Sequence, residues 1–238
     1  MVTQETKRVL SISHSWKVTV EEAEEIQHSL QQSVVLSDKG DKIKKVVGVD
    51  CAYLEDTGIA AAVALTFPEL KVIETAVVRE KVNFSYLPGF LAFREGPLIL
   101  EVVGKLKVVP DLFFFNGHGL AHPRGLGLAS HLGVLLDRPS IGCARRLLGG
   151  FEQKWITVSR CLSLIESEGR NVAAFLKMSG RGKGLIVSPG HRVTLGTAIS
   201  VVTQCLTSGT SLPLPLSLAH SLARQAKRKW INERGLPA

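Results

Sequence analysis

Long apolar runs are missing from this chain of 238 residues. None approaches the roughly 18–20 residues that a helix needs to cross a bilayer, so no membrane partner is expected. The opening stretch MVTQETKRVLSISHS has no basic flank followed by an apolar core. No secretory signal is therefore expected. No C-x-x-C pair occurs, and Cys51, Cys143, Cys161 and Cys205 are widely scattered. That spacing argues against a structural zinc site and a dithiol redox centre, and for buried thiols in a cytoplasmic protein. Internal repeats, low-complexity tracts and linker-like segments are also absent. One domain over residues 1–238 is the expectation, with residues 1–18 as a loose tail.

What is present suits a globular fold. Hydrophobic residues make up 45% of the chain, enough for a sizeable core and too many for wholesale disorder. Lys plus Arg exceed Asp plus Glu by 29 to 21, a net charge of +8. Such a surplus favours a polyanionic partner, though each basic cluster also reads as a solvated face. The clusters are Lys42, Lys44 and Lys45; Arg145 and Arg146; Arg181 and Lys183; and Arg224, Lys227, Arg228 and Lys229.

Periodicity supplies the elements. Thr19 with Glu22 is a capping-box pattern and predicts a helix to about Leu36. Lys45–Tyr53, Gly58–Phe67 and Lys71–Val82 read as strands, and their short connections predict an antiparallel meander. Leu98, Ile99, Val102, Val103 and Leu106 share a helical face over Pro97–Lys107, with Pro97 suited to the first position. Pro110–Asn116 reads as a buried strand, Gly127–Asp137 as a helix and Pro139–Ala144 as a strand. That order predicts parallel crossovers. Gly149–Arg170 is poorly patterned. Asn171–Met178 and Leu185–Ser188 read as strands around the loop Ser179–Gly184, and Thr197–Leu206 as a helix. A last helix, Leu216–Glu233, carries Leu218, Leu222, Ala226 and Trp230 on one stripe. The expected class is an α/β mixed sheet, a three-strand antiparallel meander extended by parallel strands, with helices on both faces.

Two glycine motifs carry no chemistry. Gly180–Gly184 lacks the Ser or Thr and the following helix of a phosphate loop. Gly125 and Gly127 lack the third glycine of a dinucleotide fingerprint. Oxygen ligands are more telling. Asp50 is expected at the end of the first strand, where it reads as a cap, a turn hydrogen bonder or a metal ligand, and Asn116 at the end of the buried one. Strand ends of an open α/β sheet converge on one crevice, so the two can meet there. Glu95, just before Pro97, reads as a helix cap or as a third oxygen ligand. Such a set suits Mg²⁺, which prefers hard oxygen donors. Tyr86, Leu87 and Pro88 form an apolar turn, either packed on the core or free to wedge between bases.

The string Tyr86-Leu-Pro-Gly-Phe-Leu-Ala-Phe-Arg-Glu95 resembles the signature loop of the endonuclease V family. So does Asn116-Gly-His-Gly-Leu-Ala-His-Pro-Arg-Gly-Leu-Gly-Leu-Ala-Ser-His131. Gly48-Val-Asp50, Ile141-Gly-Cys-Ala-Arg145 and Gly190-His191-Arg192-Val193 complete the resemblance in order. It implies a ribonuclease H-like fold and a role in DNA repair. It implies cleavage of the second phosphodiester bond 3′ to hypoxanthine, in DNA or RNA containing deoxyinosine or inosine. The products would carry a 3′-hydroxyl and a 5′-phosphate. It further implies Mg²⁺, or Mn²⁺ in its place, on Asp50, Glu95 and residue 116, with His191 close to the metal. Tyr86, Leu87 and Pro88 would separate the strands. Gly89, Leu91, Gly117, Leu128 and Gly142 would line the base pocket, with Arg145 assisting catalysis. His122 and Arg124 would meet the nucleic-acid backbone. A monomer is expected.

Three positions depart from the family pattern. Asn116 replaces Asp, Arg145 replaces Lys, and Ser85 replaces the Pro before the wedge. Asn offers an oxygen but no charge, so metal affinity and water activation should fall while the fold survives. Position 116 is then either a deliberate weakening that traps substrate or a natural departure. A second reading is a non-catalytic protein that binds inosine without cutting.

Overall fold

The computed structural model describes residues 12–38, 40, 42–178, 184–207 and 210–234. Among these residues, nine strands form one sheet. Its first three are β1 (Lys45–Leu54), β2 (Thr57–Thr66) and β3 (Val72–Lys81), and all pair antiparallel. Short turns and β-branched, apolar runs produce this meander, as the sequence predicts. β4 (Leu112–Asn116) and β5 (Ser140–Ala144) then add in parallel beside β1. The helix α2 (Leu91–Gly104) precedes β4, and α3 (Leu128–Leu136) joins β4 to β5. Strands β6 (Lys154–Thr157), β7 (Leu162–Ser167), β8 (Arg170–Lys177) and β9 (Gly184–His191) complete the order β3-β2-β1-β4-β5-β9-β8-β7-β6. The pair β6 and β7 falls in the stretch without pattern. β6 is almost wholly exposed, so it shows no apolar alternation.

Alternation along the strands sends side chains to two cores. Val47, Val49, Phe113 and Phe115 face the layer of α2 and α3, against which α1 (Val20–Gln31) packs. Val46, Leu112 and Phe114 face the layer of α4 (Leu195–Gln204) and α5 (Leu214–Glu233). Among the described residues, no helix is long and apolar enough to cross a membrane.

Four expectations need correction. The first helix stops at Gln31, well before Leu36. α2 begins at Leu91 and carries Pro97 inside it, so Glu95 is a helical residue and not a cap. Proline's missing N–H costs one bond there, and a mostly buried helix tolerates the loss. The buried stripe of α5 is Leu216, Ala219, Ala223 and Ile231, offset from the predicted one because the small alanines make the closest approach. Finally, residues 12–18 are held at alternate positions: His14, Trp16 and Val18 are half-buried, and Trp16 stacks on His131 with ring centroids 5.6 Å apart. Residues 1–11 and the glycine-rich loop at 179–183 lie outside the described residues.

Candidate active site

Parallel register puts Val49 level with Phe115, so the next residues, Asp50 and Asn116, emerge side by side. Asn116 Nδ2 donates to Asp50 Oδ1 at 3.0 Å. Asp50 therefore lies within β1, not at its end, but the convergence predicted for the two residues is present. Glu95 reaches the same place from α2, and Tyr53 Oη donates to its Oε1 at 3.0 Å. Asp50 and Glu95 are 5% and 8% exposed. Burial, and then the charge of Asp50, push the Glu95 carboxyl up to about 8.

The other oxygen of Asp50 meets His220 Nδ1 at 2.7 Å. His220 comes from α5, where sequence reading saw only a basic helix. Gly48 explains its approach: a side chain there would collide with the backbone of Pro215, at the start of α5. The only sequence signal was a polar residue beside the small, buried Ala219 and Ala223. His191, expected near the metal, lies elsewhere. It pairs across the sheet with Ser140, at the opposite end of β5 from Cys143, the partner of Asn116. Its ring meets Asp137 Oδ1 at 3.3 Å and accepts from the Val35 N–H at 3.2 Å. These local partners explain its burial without a metal.

Beside the acids opens a cavity of about 310 Å³. Gly89, Leu91, Gly117 and Leu128 line it, as do Tyr86, Leu87, Pro88, Asn116 and Arg145. Gly142 does not. It lies beneath the backbone of Gly117–Gly119 and supports the pocket floor. Leu91 and Leu128 are the first residues of α2 and α3, and neither helix has a side-chain cap. A helix start without a side-chain cap leaves first-turn amides for other acceptors, although that of Ala129 is taken by the His118 carbonyl at 2.9 Å. Tyr86 is 67% exposed at the rim, an unusual place for an aromatic ring. Arg145 is exposed there, and its Nη2 donates to Ser211 Oγ at 2.9 Å.

His122 and Arg124, expected to meet the nucleic-acid backbone, lie beside the wedge turn. Both donate to the carbonyl of Gly89, at 2.9 and 3.0 Å, and Gln27 Nε2 donates to it at 3.0 Å. Arg124 also holds Gln27 Oε1 at 2.6 Å and Glu24 Oε1 at 3.2 Å. Gly89 has φ +86°, a conformation that favours glycine. The three side chains thus fasten the turn between the wedge residues and α2. Gln27 was missed because nothing in an amphipathic helix distinguishes a buried glutamine from a solvated one.

Among the described residues, no group of three or more His, Cys, Asp or Glu side chains is arranged to hold a metal. The set at hand is two carboxylates and an amide. Since Nδ2 of Asn116 is turned to Asp50, its Oδ1 remains the acceptor. Two buried acids of like charge, one kept protonated, suit relief by a hard cation. The donors fit such an ion, with one charge fewer than three acids would supply.

Known proteins resemble this chain over most of its length. The chain is 41% identical over 217 residues to endonuclease V of Roseiflexus sp. (strain RS-1), covering 91% of this chain and 97% of the relative. It is 38% identical to endonuclease V of Dictyoglomus turgidum, over 86% of this chain and 90% of that one. The crystal structure of endonuclease V from Bacillus subtilis superposes with TM-score 0.84 at 26% identity, covering 92% and 97% of the two chains. That of Ciona intestinalis endonuclease V, in complex with a 24mer DNA containing an inosine followed by a ribo-adenosine, superposes with TM-score 0.76 at 26% identity, over 88% and 98%. The Endonuclease V family profile matches residues 28–221. With that span and that identity, the chain belongs to the endonuclease V family, whose ribonuclease H-like fold it shares.

Proposed function

We propose that this chain recognises hypoxanthine in a nucleic-acid strand and hydrolyses the second phosphodiester bond on its 3′ side, leaving a 3′-hydroxyl and a 5′-phosphate. The observation that carries this reading is the junction of Asp50, Glu95 and Asn116 with the cavity behind Tyr86. Its volume, near the low end for ligand pockets, suits a single base. Hypoxanthine presents acceptors at O6 and N7, which match the donors of two uncapped helix starts. Adenine presents a donor at C6 and is mismatched. Guanine adds an amine that needs room or a partner. Either mismatch leaves a buried polar group unpaired, at about 1–3 kcal/mol. Flipping a base costs a few kcal/mol, which an exposed wedge of Tyr86, Leu87 and Pro88 helps to offset by filling the gap.

Asp50, Glu95 and the Asn116 amide oxygen would hold Mg²⁺, with Mn²⁺ as a substitute. When bound, the ion supplies Lewis acidity to a phosphate and to water. The chain's own residues do the rest. His220 fixes one oxygen of Asp50, and its half-exposed ring is placed to move a proton at the mouth of the site. Tyr53 orients Glu95. Arg145 brings a cationic fork to the rim for a phosphate.

A second reading, an inosine-binding protein that does not cut, is favoured by one contact: the neutral Asn116 ties up Asp50 Oδ1. Both readings meet in one experiment with inosine-bearing oligonucleotides and Mn²⁺. Asn116→Asp should raise cleavage by roughly ten- to a hundredfold, the size expected for a metal-site partner. A revertant that leaves the substrate whole ends the nuclease reading. Binding that is indifferent to replacing inosine by guanosine ends both.

A further inference from the structure

α5 does more than cover the sheet. Counting from His220 at the acid cluster, Arg224, Lys227 and Arg228 follow at spacings of four, seven and eight residues. Those spacings put all three along the edge of the helix that carries His220. Arg224 and Arg228 are exposed, and Lys227 is half-buried. The helix has no acid before Glu233. Among the described residues, its ion pairs are His220 with Asp50 and Lys229 with Glu233. None engages Arg224, Lys227 or Arg228. Solvated helix faces ordinarily intersperse acids with such bases.

The neighbouring strands add no neutralising charge. Glu74 and Glu80 fall on the other face of β3 from Arg79 by alternation. Asp56 is paired with Lys81 at 3.1 Å. Arg79 instead lies over the Trp230 ring at 4.9 Å, with Arg234 over the same ring at 5.1 Å. Positive charge thus continues from the acid cluster to the outer edge of the sheet. The rise from His220 to Arg228 is about 12 Å at roughly 1.5 Å per residue. Successive phosphates of a duplex strand advance about 3.4 Å, so three or four fit this length.

Direction follows from the two layers. The cavity opens among α2, α3 and their loops, whereas α5 lies in the opposite layer. Asp50 and Asn116 stand between them. A strand with its base in the cavity and its 3′ phosphates at the acids must leave towards α5. We propose that Arg224, Lys227 and Arg228 form a phosphate track for the nucleic-acid backbone on the 3′ side of the cut. The direction rests on the function proposed above.

The test measures binding of the full chain to single strands carrying one inosine, with EDTA present to prevent cleavage. One strand has a long 3′ arm, one a short 3′ arm with a long 5′ arm. The triple change Arg224→Gln, Lys227→Gln and Arg228→Gln keeps good helix formers at each position. Each phosphate contact contributes about 0.7 to the slope of log affinity against log salt on a single strand. The triple variant should therefore lose about 2 from that slope on the long 3′ arm and nothing on the short one. A slope equal to that of the parent chain, or a loss carried by the 5′ arm, overturns the track. Should circular dichroism show the triple variant unfolded, Arg228→Gln alone serves, with a loss of about 0.7. If guanosine binds as well as inosine while the slope still falls on the 3′ arm, the track stands and the base-recognition reading fails.

Discussion

Phe93 and Glu95 stand two residues apart on α2 and serve two buried clusters of opposite character. Glu95 joins Asp50, Asn116 and His220 at the mouth of a cavity. Phe93 joins His14, Trp16 and His131 in a closed stack, its ring 5.3 Å from that of His131. In the closed stack, His14 Nδ1 lies 2.7 Å from the Ser15 carbonyl and must carry a proton. His14 Nε2 then accepts from His131 Nε2, also at 2.7 Å. Burial holds the His131 imidazole well below its usual range. The same burial raises Glu95. One cluster sets two buried carboxylates against a half-exposed histidine beside a cavity, which is the character of a binding site. The other is neutral and aromatic, with half-buried His14 and Trp16 laid over buried Phe93 and His131, which is the character of a strap that holds residues 12–18 to the helices.

The widest gap between them should appear in Glu95→Gln. It removes a carboxylate from the acid cluster, so cleavage should fall by more than about a hundredfold, the upper range for lost metal-site partners. The same change should stabilise the metal-free protein in alkali. Folded Glu95 keeps its proton to about pH 8, while the unfolded chain releases it near 4.5. Stability of the parent therefore falls as pH rises through that window. A variant whose melting temperature tracks the parent's from pH 5 to 9 would contradict this account of Glu95.

The histidine stack has the reverse sign. Folded His131 stays neutral, whereas the unfolded chain binds a proton below 6.5. Its stabilisation is complete above that pH and lost as pH falls. His131→Gln should flatten the acid limb of the melting curve and leave the alkaline limb as it is. Equal acid limbs in parent and variant would count against the buried neutral pair.

Smaller is His14→Ala. It leaves His131 Nε2 without a partner in addition to the unpartnered Nδ1, at about 1–3 kcal/mol. Chemical denaturation should record that loss, with inosine binding unchanged because the stack lies outside the cavity. The smallest effect on stability, and the one that bears on the cavity side, belongs to Gln27→Ala. Removing one of three donors from the Gly89 carbonyl should cost about 1 kcal/mol. Fluorescence of a base analogue beside the inosine should show poorer insertion of Tyr86. A wedge that inserts as before would mean Arg124 and His122 suffice.

Much of the sheet was legible because its strands are apolar, β-branched and closed by turns. β1 to β5 and the pair β8 and β9 needed only local pattern. β6 did not show, since an exposed sheet margin carries no apolar alternation, and half-buried β7 is too short for its pattern to stand out. α2 was misread at its start because Pro97, favoured at a first turn, is here an interior residue of a helix held by its packing. In the site, Asp50, Glu95, Asn116 and the wedge were legible because each sits in a distinctive local string. The string singled out His122 and Arg124 but not their hold on the Gly89 carbonyl: it shows that a residue matters, not which way it points.

Local order along the chain sufficed for most of the strands and helices and for the meeting of Asp50 and Asn116 on neighbouring parallel strands. Which histidine stands beside those acids was decided by tertiary structure. His191 and His220 look alike in sequence, and His191 has the richer motif. Asp50 and His220, 170 positions apart, meet because Gly48 admits the backbone at the start of α5. A side chain's neighbours depend on how closely two layers pack, and packing distance is not written in any short stretch of sequence.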